Sequence, residues 1–174
     1  MTDDLKNIPV YPHSEQYAAE RGESKQYWDS YRANMACVEA ISQATNRNYD
    51  YDSYCLNSKA AAKEIVEQCG MERTLYVLAN TVREKAWDGR ISRDNIEWAK
   101  SYPVADDVDT FGRRRNAEYS VDAVHPGLTN LLVREMRKVA EREQKPSIRS
   151  QLAAEKLEQS QKPPVKNKGR EEAR

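Results

Sequence analysis

A chain of 174 residues with no net formal charge gives no global electrostatic case for nucleic acid or an acidic membrane surface. Its apolar share of 39% and charged share of 32% flank the roughly 45–50% and 25% of ordinary globular domains, so one modest core plus solvated chain is expected. No apolar run approaches the ~20 residues that span a bilayer, and the N-terminus, MTDDLKNIPV, lacks the apolar stretch of a signal peptide. Cys37, Cys55 and Cys69 are odd in number and widely spaced, which argues against a disulfide framework and for a reducing, cytoplasmic setting.

In chain order, Pro9 and Pro12 keep the N-terminal arm extended. Ser14 caps a short helix, Glu15–Arg21, that Gly22 stops. From Ser24 to Asn46 the apolar residues Tyr27, Tyr31, Met35, Val38 and Ile41 recur at helical spacing and predict one buried stripe, widened by Trp28. Asn48–Asn57 alternates tyrosine and polar residues, but Asp50 and Asp52 are poor strand formers, so the segment reads as an ordered loop. Asn57 or Ser58 caps a helix over Lys59–Cys69 that Gly70 ends, and a second helix over Glu72–Trp87 turns Leu75, Leu78, Ala79 and Val82 inward. Asp88-Gly89 is a turn dipeptide, and Ser92 caps a short helix, Arg93–Lys100.

Beyond Pro103 a loop has an acidic half (Asp106, Asp107, Asp109) and a basic half (Arg113, Arg114, Arg115). Glu118–Val124 alternates like a strand and needs a second strand, with the N-terminal arm as one choice, or else packs as an extended segment. Pro126 opens a helix running to about Gln144, with Leu128, Leu131, Leu132, Met136 and Val139 on one face. After Pro146 the helix carries only a thin stripe, and Gln161–Arg174 has no core residue. The fold class expected is therefore mainly α: a compact bundle of about five or six helices with one short β element. Residues 1–144 form the helical domain, 145–160 a peripheral helix, and 161–174 a disordered basic tail. Residues 145–174 carry a net +4, leaving −4 on the body.

No cysteine or histidine pair has the close spacing of a zinc site, and Asp50-Tyr51-Asp52 opens like a calcium loop but lacks the later ligands. No metal or cofactor is expected. No nucleotide-binding glycine loop occurs. His13 and His125 stand beside prolines at element junctions, positions suited to anchoring helices through ring hydrogen bonds; a Cys37–His125 dyad is the catalytic alternative. The best site candidate is the turn Trp87-Asp88-Gly89-Arg90 with Trp98, where Arg90 offers a rigid donor fork for a carboxylate or phosphate. Against it stands an architectural reading: Asp88 closes the turn, Arg90 pairs with a nearby carboxylate, and both tryptophans glue two helices. Arg113, Arg114 and Arg115 can grip phosphates or an acidic protein face.

Four segments carry a resemblance: VYPHSEQYAAERGE, YRANMACVEAI, MERTLYVLANTVREKAWDGRISRDNIEWAK and VHPGLTNLLVREMR. Together they resemble a family of uncharacterised small proteins carried on conjugative plasmids and transposons of gut Firmicutes, over about Val10 to Arg137. The resemblance transfers no catalytic residues. It implies a mobile-element context, in which small proteins often block host nucleases. The function expected is a non-enzymatic binding protein that antagonises host defence, an anti-CRISPR inhibitor of a Cas9-type nuclease or another defence nuclease. Docking would use Arg90, Trp87, Asp88, Trp98 and the arginine triplet, with weak DNA contact. The alternatives are a nucleic-acid-binding accessory protein of conjugative transfer, whose binding would weaken steeply with salt, and a small hydrolase using His125.

Overall fold

A computed structural model describes residues 4–102, 111, 119–145 and 148–161. The chain divides into two units, Met1–Ala140 and Glu141–Arg174.

In the first unit the elements follow as α1 (Glu15–Glu20), α2 (Ser24–Arg47), β1 (Tyr49–Asp50), β2 (Cys55–Leu56), α3 (Ser58–Cys69), α4 (Met71–Glu84), α5 (Arg93–Lys100) and all but the last turn of α6 (Pro126–Gln144). Three predicted caps are in place: Ser14 accepts from Tyr17 N–H, Asn57 from Ala60 N–H and Ser92 from Asn95 N–H. Each satisfies a backbone donor that a helix start leaves open. Gly70 has φ 77°, a left-handed value open to glycine at little cost. There the chain turns from α3 straight into α4.

The core joins α2, α3, α4 and α6 around Ile41, Ile65, Leu78, Val82, Leu132 and Met136. Each large side chain of this kind contributes about 1.5–3 kcal/mol on burial. α4 is buried along its whole length from Arg73 to Val82 and is the central element. On α2 the buried face differs from the predicted one. It runs through Tyr27, Ala33, Cys37, Ala40, Ile41 and Ala44, while Met35 is 36% exposed. Small residues let the neighbouring helices approach closely, so the core turns toward them. α6 rotates similarly: Thr129, Leu132, Val133 and Met136 are buried, and Leu131 is 44% exposed.

The β element is not where the alternation suggested. β1 and β2 pair antiparallel, Tyr49 opposite Leu56 and Asp50 opposite Cys55, inside the segment read as a loop. Asp50 is placed there by its carboxylate, which accepts from Asp52 N–H at 2.9 Å and Ser53 Oγ at 2.6 Å and so closes the hairpin turn. The described part of the predicted strand, 119–124, forms turns and bends instead. Its backbone bonds go to the side chains of Thr81 on α4 and of Lys85, the residue that follows α4. Val121 N–H donates to Thr81 Oγ1 at 3.1 Å, and Lys85 Nζ donates to the Val121 and Val124 carbonyls at 2.8 and 3.1 Å. With those groups satisfied, no strand partner is required. Tyr119 opens this segment and meets Tyr76 of α4, ring centres 6.2 Å apart, each 4% exposed.

The second unit contains α7 (Ile148–Gln161). Its side chains from Arg149 to Ser160 are exposed, Leu152 and Leu157 included. The basic tail expected at 161–174 lies, from 162 onward, outside the described residues.

Candidate partner-binding site

The turn after α4 is built by its own polar groups. α4 ends at Glu84, earlier than predicted, and Lys85 caps it. Asp88 N–H donates to the Lys85 carbonyl at 3.0 Å, and Ile91 N–H to the Asp88 carbonyl at 3.1 Å. The Asp88 carboxylate faces Arg90. Oδ1 accepts from Arg90 N–H and from Nε, both at 2.9 Å, and Oδ2 accepts from Nη2 at 2.6 Å. These bonds hold the Asp88 carboxyl well below the usual carboxylate range, against the cost of its burial. The remaining end of the fork, Nη1, meets His125 Nε2. His125 anchors the start of α6: its carbonyl accepts from Leu128 and Thr129 N–H, and its Nδ1 lies 3.1 Å from the Gly127 nitrogen. Asp88, Arg90 and His125 therefore form a strut from the α4–α5 turn to α6.

A second strut runs beside it. Asn130 on α6 accepts from Ser92 N–H at 2.9 Å and from Asn95 Nδ2 at 2.7 Å. Asn95 Oδ1 in turn accepts from Arg137 Nη1 at 2.9 Å. Trp98 packs on Tyr102, ring centres 5.0 Å apart, with the Arg137 guanidinium 5.9 Å from its ring centre. The architectural reading thus holds for Asp88, Arg90 and Trp98. It fails for Trp87, which is 83% exposed: because α4 stops three residues short of it, the turn carries the indole outward instead of between helices. Asn80, another polar residue of this region, bonds within its own helix, to the Tyr76 carbonyl at 2.8 Å. Arg113, Arg114 and Arg115 lie outside the described residues.

Next to the first strut a groove of about 1020 Å³ opens between α2, the β hairpin and the start of α6. Tyr49, Tyr51, Leu128, Leu131 and His125 line it, with Glu39 and Gln43 of α2 opposite. Tyr49 and Tyr51 meet edge to face at 4.9 Å, and the Tyr51 hydroxyl donates to Asn46 Oδ1. Tyr51 remains 65% exposed. An open surface of two aromatic rings and leucine, edged by polar groups, is suited to protein recognition. Sequence reasoning missed it because the tyrosines belonged to a supposed loop and Leu131 to the supposed core.

Cys37 lies in the buried core, whereas His125 is exposed beside Arg90, so the two do not meet as a dyad. Among the described residues no three His, Cys, Asp or Glu side chains converge as a metal site. No helix among them is long and apolar enough to cross a membrane.

A family model matches residues 10–141. The chain belongs to the family described as "Protein of unknown function (DUF3849)". The DUF3849 match takes in both struts and all residues lining the groove, and it ends within the last turn of α6. No curated protein and no solved structure matches the chain.

Proposed function

We propose that this protein is a non-enzymatic binding protein of a mobile genetic element that antagonises host defence by docking on a nuclease, with a Cas9-type effector as the target. One observation carries the docking part: the open groove holds exposed Tyr51 and Leu131, while Asp88, Arg90 and His125 bond to one another instead of presenting an unpaired acid or base. Charge supports the partner class. Residues 1–144 carry a net −4, and Cas9-type effectors hold their guide–target duplex in a positively charged channel. A net charge so small favours docking on protein surface over imitation of a nucleic-acid backbone. The mobile-element setting comes from the resemblance of the four sequence segments.

The test is a cleavage assay with a purified Cas9-type effector, its guide and target DNA, paired with a pull-down of the effector. Loss of cleavage together with capture is expected. Undiminished cleavage at excess protein would remove this reading, and salt-sensitive DNA binding without capture would move the function to an accessory role in DNA transfer.

A further inference from the structure

Arg73, in the first turn of α4, is 2% exposed. Its Nη1 donates to the Ser30 carbonyl at 3.1 Å and to Asn34 Oδ1, and its Nη2 donates to the Ile8 carbonyl at 2.6 Å. All three acceptors are neutral. Among the described residues no carboxylate pairs with the guanidinium, and its Nε is the one buried side-chain polar atom without a hydrogen-bond partner. A buried cation without a counter-charge is costly, and so is a buried donor left open. In the planar guanidinium Nε–H shares an edge with Nη2. Ile8, which takes Nη2, lines a cavity of about 110 Å³ together with Arg73, so the open Nε–H lies toward that cavity. The start of α4 adds donors. Gly70 has no side chain to cap the helix, so its first N–H groups remain open, and Gly70, Met71 and Glu72 line the same cavity. Lys6 closes over it from the N-terminal arm. Its stem lies so near Gly70 that a Cβ there would meet Lys6 Cγ at 3.5 Å.

We propose that this cavity binds one small monovalent anion of the chloride class, which supplies the counter-charge that Arg73 lacks. Arg73 Nε–H and the uncapped N–H groups of α4 are its donors, in the arrangement that makes helix starts favour negative charge. The charges around the cavity set the valence. Lys6 and Arg73 face the single carboxylate of Glu72, so one positive charge is left over, which suits a halide and opposes a phosphate dianion. The space agrees. A water needs roughly 10–15 Å³ of a cavity, so a halide fits with a water beside it, whereas a nucleotide does not. A water alone would satisfy Nε–H and leave the charge unbalanced. The ion has a structural consequence. The guanidinium that it neutralises holds Ile8 of the arm and Ser30 and Asn34 of α2, so filling the site fastens the N-terminal arm to α2 and α4.

The experiment melts the full chain at fixed ionic strength while sodium chloride replaces sodium gluconate, whose anion is too large for the cavity. A ligand of the folded form alone stabilises it by mass action, so chloride at about ten times its half-saturating concentration should raise the melting temperature by roughly 3–6 °C. Bromide should act likewise, and chloride should slow amide exchange in the arm from Leu5 to Val10. Lys6→Ala alters an exposed side chain and should raise the half-saturating concentration about two- to fivefold. Arg73→Met should abolish the response. If Arg73→Met does not fold, the Lys6→Ala titration and the amide exchange decide. The proposal is overturned if chloride and gluconate give the same melting temperature, which would leave a water as the occupant. It is equally overturned if Lys6→Ala keeps the half-saturating concentration of the unaltered protein, or if Arg73→Met folds and keeps the response, since the ion would then act elsewhere. None of these results bears on the docking function, which involves other residues.

Discussion

Arg90 Nη2 lies 2.6 Å from Asp88 Oδ2, and the same guanidinium reaches His125 on α6. Two residues apart in sequence, this pair converts a turn into a brace between helices. The Asp88 side chain is nearly enclosed, 6% exposed, while that of Arg90 is 52% exposed, so the aspartate is the member that loses most if the pair is broken.

A pH dependence follows from that pair. Asp88 has a lowered carboxyl pKa in the folded protein, so its contribution to stability is complete above the ordinary carboxylate value of about 3.9. As pH falls below that value toward the folded one, the contribution is progressively lost. Asp88→Asn should melt several degrees below the unaltered protein near neutral pH, and the gap should narrow in acid. Thermal melts in buffers on both sides of pH ~4 check this; a gap independent of pH would place the loss elsewhere.

Lys85 provides a second test. Its ammonium is the donor that ties the Val121 and Val124 carbonyls to α4, and burial lowers its pKa. Lys85→Met keeps the stem but strands both acceptors. It should cost about 2 kcal/mol in urea unfolding and raise amide exchange near Val121.

The rotated face of α2 can be tested by two opposed substitutions. Ala44 is 0% exposed and Met35 is 36% exposed. Ala44→Leu should destabilise by about 1–3 kcal/mol through overpacking, while Met35→Lys should stay within roughly 0.5 kcal/mol. A stripe centred on Met35 would give the reverse order in the same unfolding titrations.

That reversal marks what the chain made legible and what it did not. Helix starts were readable because a cap is a local contract: Ser14, Asn57 and Ser92 each bond a backbone N–H three residues on. Helix faces were less readable, because apolar size suggested Met35 and Leu131 whereas close approach selected Ala33, Cys37 and Thr129. The alternation at 119–124 imitated a strand, yet Tyr119, Ser120 and Val121 are buried in succession, because bonds to the side chains of Thr81 and Lys85 hold the segment in turns and bends against the core. The junction role of His125 was visible from its proline neighbour. Its partner, Arg90, lies 35 residues away and had no local signal. Arg73 is among the most buried side chains, and no apolar pattern marked it.

The groove yields a separation of effects. Tyr51→Ala and Leu131→Asp alter exposed side chains and should leave melting nearly unchanged, yet each should weaken partner binding by roughly tenfold or more. Asp88→Asn should do the opposite near neutral pH, lowering melting more than affinity.

The most direct measurement is a binding titration of a purified Cas9-type effector with the unaltered protein and with the Tyr51→Ala, Leu131→Asp double variant, followed in parallel by DNA cleavage. Saturable binding that suppresses cleavage, lost in a double variant of unchanged melting temperature, is the expected result. Absence of binding by the unaltered protein, or equal inhibition by the two proteins, would contradict recognition through this groove.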